Sequence, residues 1–320
     1  MQVAELAPRI KELGASILAA IRSVASEGEM RSTSGLTDSG DASFKVDLLA
    51  ERVVKDWLDT SPVPLAAYTE EMGFIPGRGN PQYVLVVDAL DGSRAFRAGL
   101  ETACVSIAVA RFRGKEETRF RDILLGYLWE IKTDTVFEAS AGQGVSITRE
   151  GESLAPLSAV APGLSEMAWA FEVCGRPARE LFWVIGDLVN MSAVRGGCFL
   201  FNSTTFGISR IALGRLDAYV DVGVRIVEEL PDSVDEMFRA GQRQVLGLFP
   251  YDIAATFLIA KEAGIVMTDA YGQALEPRRL LGSGPDTRLS CIAARSSLLH
   301  KQIMHYIDGK FDELSRRPRA

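Results

Sequence analysis

The sequence predicts a mixed α/β (α+β) protein built in layers, and three features carry that expectation. Val3, Leu6, Ile10, Leu13, Ile17, Ile21 and Val24 recur at steps of three and four, the spacing of one apolar helix face. Tyr83 to Val87 is a continuous apolar run closed by a turn signal, the pattern of a buried strand. Beyond about Ser158, strand-like and helix-like segments alternate, which is the texture of an α/β layer architecture.

Composition sets the outer bounds. The 320 residues allow one large domain or two ordinary ones, and the change of texture places a boundary near residues 145 to 160, giving units of 1–150 and 151–320. With 47% hydrophobic and 24% charged residues, the chain has the balance of a soluble globular protein. A net charge of -7 without a basic stripe argues against nucleic acid as a partner. Cys104, Cys174, Cys198 and Cys291 are widely spaced and form no Cys-x-x-Cys pair, so core thiols are expected. The N-terminal helix carries Glu5, Arg9, Lys11 and Glu12, unlike a signal peptide or a membrane span. A cytoplasmic protein with no membrane partner is the expectation.

In chain order, Arg31 to Gly40 breaks the helical pattern and reads as a mobile loop. Asp41 to Asp47 leads into a second helix with an expected buried stripe of Val46, Leu49, Val53 and Trp57, and Asp47 in its first turn suits the helix dipole. Leu65 to Thr69 reads as a strand followed by Glu70-Glu71-Met72-Gly73. Strands are expected at Ala103 to Arg111, Ile123 to Trp129, Asp134 to Ala139, Ala168 to Val173 and Asp217 to Asp221, with helices at Ala178 to Asn190 and Ser203 to Leu213. Val222 to Phe249, with its acidic cluster, reads as a solvated excursion. Asp252 is placed as an N-cap ahead of a helix, closed by Gly264. Strands follow at Ile265 to Thr268 and Leu289 to Ala293, and a last helix carries Leu298 to Ile307, with His300 and His305 exposed on it.

Asp88-Ala89-Leu90-Asp91-Gly92-Ser93 is the chemically unusual stretch, because a buried strand ends there in two acids. Carboxylates this close repel one another unless they lie in solvent or share a positive partner. A solvated turn is one answer. A hard divalent cation, bound by carboxylate and carbonyl oxygens, is the other.

Taken in order, Thr69-Glu70-Glu71, Asp88 to Ser93 and Tyr251-Asp252-Ile253-Ala254-Ala255 resemble the signature of the inositol monophosphatase family. That Mg²⁺-dependent, often lithium-sensitive superfamily includes fructose-1,6-bisphosphatases and adenosine bisphosphate phosphatases. Asp41 to Asp47, Gly142-x-Gly144, Asp217-Ala218-Tyr219 and Lys261-Glu262-Ala263-Gly264 extend the resemblance over nearly the whole chain. It implies a five-layer α-β-α-β-α sandwich and a phosphoric monoester hydrolase, commonly a homodimer, with two or three Mg²⁺ ions that Mn²⁺ could replace. The implied metal ligands are Glu70, Asp88, Asp91, Asp252 and the Leu90 carbonyl. Gly92 and Ser93 would hold the phosphate, with Asp91, Asp221 and Asp252 also facing the substrate. Glu70 and Ser93 would orient the attacking water, with Asp47 beside them. An inositol or sugar monophosphate is the expected substrate, with fructose 1,6-bisphosphate and adenosine 3′,5′-bisphosphate as alternatives. A catalytically silent binding module of the same fold is the non-enzyme alternative.

The sequence also departs from the family pattern. Ala89 stands where proline is usual, Ser93 where threonine is common and Thr69 where glycine commonly precedes the acids. Arg31 to Gly40 lacks a lysine that many members carry, Phe199-Leu200-Phe201-Asn202 differs from the usual segment, and the 222–249 excursion is long.

Overall fold

Side-chain alternation along the strands decides how the layers stack. In the computed structural model, which describes residues 5–24, 33–36, 42–156, 162–230, 233–241 and 247–316, the chain opens with α1 (Ala7–Arg22). A hairpin of β1 (Thr33–Leu36) and β2 (Ala42–Phe44) leads to α2 (Lys45–Thr60). The stretch expected to be an irregular loop thus contains a strand, and the rest of that loop lies outside the described residues. Then come β3 (Leu65–Thr69), β4 (Gly73–Ile75), β5 (Tyr83–Asp91), α3 (Ser93–Arg97), β6 (Cys104–Arg111), β7 (Ile123–Glu130), β8 (Thr135–Ser140), β9 (Val145–Arg149) and β10 (Glu152–Ser153). These strands form one sheet in the order β10-β9-β8-β7-β6-β5-β3-β4.

Leu65, Ala67, Leu85 and Val87 point to one face of that sheet, where they meet the apolar stripe of α1 (Ile10, Leu13, Ile17) and the buried side of α2. Ala66, Tyr68, Val84 and Val86 alternate to the other face. The buried side of α2 is not the expected stripe. Val46, Asp47, Ala50, Glu51, Val54 and Leu58 face inward, while Leu49, Val53 and Trp57 are only half-buried. The helix is rotated by about one residue, roughly 100°, because Asp47 and Glu51 have hydrogen-bond donors waiting inside.

The second half supplies β11 (Ala168–Phe171), α4 (Ala178–Ser192), β12 (Gly197–Phe199), α5 (Thr204–Ala212), β13 (Ala218–Asp221), α6 (Gly223–Glu229), α7 (Val234–Ala240), α8 (Pro250–Glu262), β14 (Val266–Thr268), β15 (Cys291–Ala294) and α9 (Ser297–Ser315). Its sheet runs β12-β11-β13-β15-β14. Trp169, Ala218, Val220 and Ile292 face α4 and α9, whereas Ala170, Tyr219 and Ala293 face α5 and α8. The layers are therefore α1/α2, the larger sheet, α5/α8, the smaller sheet and α4/α9, the expected five-layer sandwich. No helix among the described residues is long and apolar enough to cross a membrane.

Lying between two sheets, α8 is buried on every side except at Asp252 and its C-terminal turn. A helix that is apolar all round belongs in such a place. Gly142-x-Gly144 and Glu262 fasten its far end, since the Gly142 and Gly144 amides donate to the Glu262 carboxylate at 2.8 and 2.7 Å. Two of the motifs that extend the family resemblance are thus halves of one contact.

Several local expectations change. The 222–249 stretch is not simply solvated: it forms α6 and α7, burying Arg225, Ile226 and Met237, while residues 231–232 and 242–246 lie outside the described set. His300 is buried and bonded through Nε2 to Thr268 Oγ1 at 2.9 Å, while His305 is exposed. Cys104 and Cys291 are buried, Cys174 and Cys198 half-buried, and all four thiols are free.

A methyl group on Gly126 of β7 would lie 2.8 Å from the Ala255 carbonyl oxygen of α8. Backbone on both sides leaves nothing flexible to yield. Gly126→Ala is expected to cost about 1–3 kcal/mol by overpacking, read as a lower denaturant midpoint with an unchanged slope.

Candidate active site

Parallel pairing of β3 with β5 sets Thr69 beside Val87. The next residues, Glu70 and Asp88, therefore leave the two strands side by side. Against β6, β5 takes three steps from Asp88 to Asp91 while its partner takes two, from Ser106 to Cys104. This bulge bends the strand end and re-aims its side chains. Gly92 follows at φ 85°, and a Cβ there would sit 2.9 Å from both the Ser203 Cβ and the Thr102 carbonyl oxygen. Only glycine fits so tight a left-handed turn.

Each acid is held by backbone or hydroxyl donors. Asp88 is buried and accepts from the Leu90 amide at 3.1 Å. Asp91 Oδ2 accepts from Ser203 Oγ and the Thr205 amide, both at 2.7 Å, and from the Thr205 hydroxyl, so the first turn of α5 clamps it. Asp252 is the third residue of α8, not its N-cap. Pro250 occupies the first position, and the Asp252 carboxylate reaches back to the Phe249 amide at 2.6 Å. Asp47 repeats the device in α2, accepting from the Phe44 amide at 3.0 Å through one oxygen and from Ser93 Oγ at 2.7 Å through the other. Ser93 Oγ also lies 2.9 Å from the Leu90 carbonyl. A hydroxyl has one proton to donate, and the shorter contact assigns it to Asp47.

Glu70, Asp88, Leu90, Asp91, Gly92, Ser93 and Asp252 line one cleft that opens to solvent. Three segments distant in the sequence converge there. Arg94, Glu172, Cys174, Arg176 and Asn202 line it as well. Asp47 and Asp221 are not in its wall. Asp47 acts through Ser93, while Asp221 is buried at the end of β13, ion-paired with Arg176 and accepting from the Gly223 amide at 2.7 Å. The acid expected to meet substrate hydroxyls therefore stands behind an arginine that does face the cleft.

Crowding shows in the acid–base properties. Burial first, then the charges of Asp91 and Asp252, hold Asp88 well above the usual carboxylate range. Burial also raises Asp91, against the pull of the Thr205 and Ser203 hydrogen bonds. Among the described residues, no three His, Cys, Asp or Glu side chains are closed into a metal-holding group. The donor chemistry nevertheless fits a hard divalent cation, because the acid end of the cleft offers carboxylate, carbonyl and hydroxyl oxygens.

Sequence reasoning missed Glu51, Ser203, Thr205 and Arg176. Glu51 is buried and accepts from Thr69 Oγ1 at 2.6 Å, the Glu71 amide at 2.7 Å and the Met72 amide at 2.9 Å. Burial pushes its carboxyl up to about 7 despite these donors. Its spacing of four from Asp47, one helical turn, was the available signal.

A family model described as the inositol monophosphatase family matches residues 3–309. The chain is 28% identical over 237 residues to the Nus factor SuhB of Vibrio cholerae, covering 73% of this chain and 74% of that one. It is 26% identical to a fructose-1,6-bisphosphatase/inositol-1-monophosphatase of Thermococcus kodakarensis, over 76% and 75% of the two chains. Among solved structures, the extragenic suppressor protein suhB of Bartonella henselae superposes with a TM-score of 0.67 at 22% identity, covering 93% of this chain and 98% of that one. This last likeness speaks to the fold.

Because Asp88 and Asp91 are raised, the folded metal-free protein keeps protons that the unfolded chain releases. Their contribution to stability is full below the ordinary carboxylate range and is lost as pH rises through the raised folded values. Asp88→Asn is therefore expected to raise the melting temperature in chelator, more at about pH 8 than at about pH 5. The same thermal scans with Mg²⁺ added should stabilise the unsubstituted protein and leave the variant nearly unmoved.

Proposed function

We propose, from the premise that this chain belongs to the inositol monophosphatase family, that it cleaves a small sugar or inositol phosphate monoester with two-metal activation of water. The family is one of metal-dependent phosphatases, generally using Mg²⁺, so hydrolysis of phosphate esters is the activity at the coarser level. The observation that carries the finer reading is the convergence of Glu70, Asp88, Asp91, Asp252 and the Leu90 carbonyl on one cleft.

The residues that would hold the cations are those five. When bound, such ions neutralise a dianionic phosphate, lower the pKa of a water and take up charge on the leaving oxygen. Glu70 would accept a proton from the attacking water. Ser93, its own proton committed to Asp47, is left as an acceptor that aims the same water. The Gly92 and Ser93 amides would hold phosphate oxygens, at a turn that a side chain on Gly92 would spoil. Asp221 would act on the substrate through Arg176. Inositol monophosphate is the first substrate to test, ahead of fructose 1,6-bisphosphate and adenosine 3′,5′-bisphosphate. The family resemblance extends the reading to a cytoplasmic homodimer.

A catalytically silent reading draws on one observation, the name Nus factor carried by a relative. The intact oxygen-donor set favours the enzyme. Phosphate release from the three substrates, with and without Mg²⁺, tests this, and no Mg²⁺-dependent release from any of them would sink it. Glu70→Gln is expected to lower kcat by about 10²–10⁴-fold, the usual worth of a general base. Its far-ultraviolet dichroism and melting should stay those of a folded protein.

A further inference from the structure

Thr69 stands where the family pattern commonly has glycine, and its hydroxyl is fully buried against Glu51. Glu51 in turn holds the two amides that follow Glu70 in the turn between β3 and β4. One of its oxygens serves the Glu71 amide, and the other serves Thr69 Oγ1 and the Met72 amide. The Met72 amide also lies 3.2 Å from Thr69 Oγ1. The backbone is thereby fixed on both sides of Glu70, at Thr69 and at Glu71-Met72. Both oxygens of this buried carboxylate are engaged by hydroxyl and backbone donors of that turn.

One helical turn earlier on the same inward face of α2, Asp47 holds Ser93. Helix α2 thus grips both groups that flank the attacking water in the reading above, Glu70 through its turn and Ser93 directly. A helix is stiff, and residues four apart on it keep a fixed separation.

We infer that Glu51 and Thr69 form a positioning clamp, which sets Glu70 in register with Ser93 and so tunes metal affinity and water activation. Both are positioning residues, acting through Glu70. This rests on the phosphatase reading for its consequence, although the clamp is a statement about backbone order. It also accounts for the rotation of α2, which gives up burial of Leu49, Val53 and Trp57 to bring two acids inside.

The test uses the full chain with Glu51→Gln and Thr69→Val, and with Val54→Ala as a control that removes buried apolar volume from the same helix. Mg²⁺ affinity is measured by calorimetry, half-saturating Mg²⁺ by turnover, and exchange of the Glu71 and Met72 amides by nuclear magnetic resonance. Supporting partners of metal ligands commonly matter by about 10–100-fold in affinity or activity. A loss in that range is expected for Glu51→Gln, a smaller one for Thr69→Val, and no further loss when the two are combined. Val54→Ala should lower the melting temperature without moving Mg²⁺ dependence. Unchanged Mg²⁺ affinity in both clamp variants, or an equal loss in the control, overturns the inference. Should Glu51→Gln fail to fold, Thr69→Val alone decides on the same terms. If the unsubstituted protein neither takes up Mg²⁺ nor hydrolyses any phosphomonoester, the phosphatase reading falls. The clamp is then judged by exchange: faster exchange at Glu71 and Met72 in the variants sustains it, and unchanged rates overturn it.

Discussion

Like charges brought together at the ends of neighbouring strands are the constraint that shapes this molecule. Glu70, Asp88, Asp91 and Asp252 come from the ends of β3 and β5 and the start of α8, and they share one cleft. Left to Coulomb repulsion and desolvation, such groups resist ionisation, as the raised Asp88 and Asp91 show. The chain holds them with donors that do not move. Backbone amides take one oxygen of Asp88 and of Asp252, and the first turn of α5 takes one oxygen of Asp91.

Helix starts are the recurrent tool. Asp47 and Asp252 both sit at the third position of a helix and reach back to the amide of the residue before it. That placement meets an otherwise orphaned donor and uses the favourable end of the helix dipole. It also locks the side chain to the most rigid part of the element. A carboxylate carried on an unsupported loop would pay more entropy to reach the same point.

Much of this was legible in the sequence because apolar periodicity reports which face is buried. From Leu6 to Ile21 the stripe of α1, like the run of β5 and the strand Leu65–Thr69, emerges where the spacing places it, while Val3 lies outside the described residues. Asp88, Asp91 and Glu70 were legible because acids at the end of a buried strand demand a reason, whereas Asp252 entered the site only through the family resemblance. What periodicity hid is equally specific. It put Leu49, Val53 and Trp57 inward on α2, since an apolar count cannot see that Asp47 and Glu51 have partners in the interior. It left His300 outside, where the structure satisfies it with Thr268. The family resemblance placed Asp221 in the substrate's path without showing Arg176, which is 45 residues away and reaches it only in three dimensions.

The all-apolar helix α8 has a consequence for how the protein comes into being. During synthesis the larger sheet is complete before residue 156, yet one of its faces, with Ala108, Leu128 and Phe137, is covered by side chains from residues 253–260. For roughly a hundred residues of elongation, several seconds at ordinary ribosomal speed, that face lacks α8, and for the first half of that time it lacks α5 as well. A nascent chain in this interval is a natural client for chaperones, and crowding or slowed translation would weigh on its yield before any effect reached the finished fold.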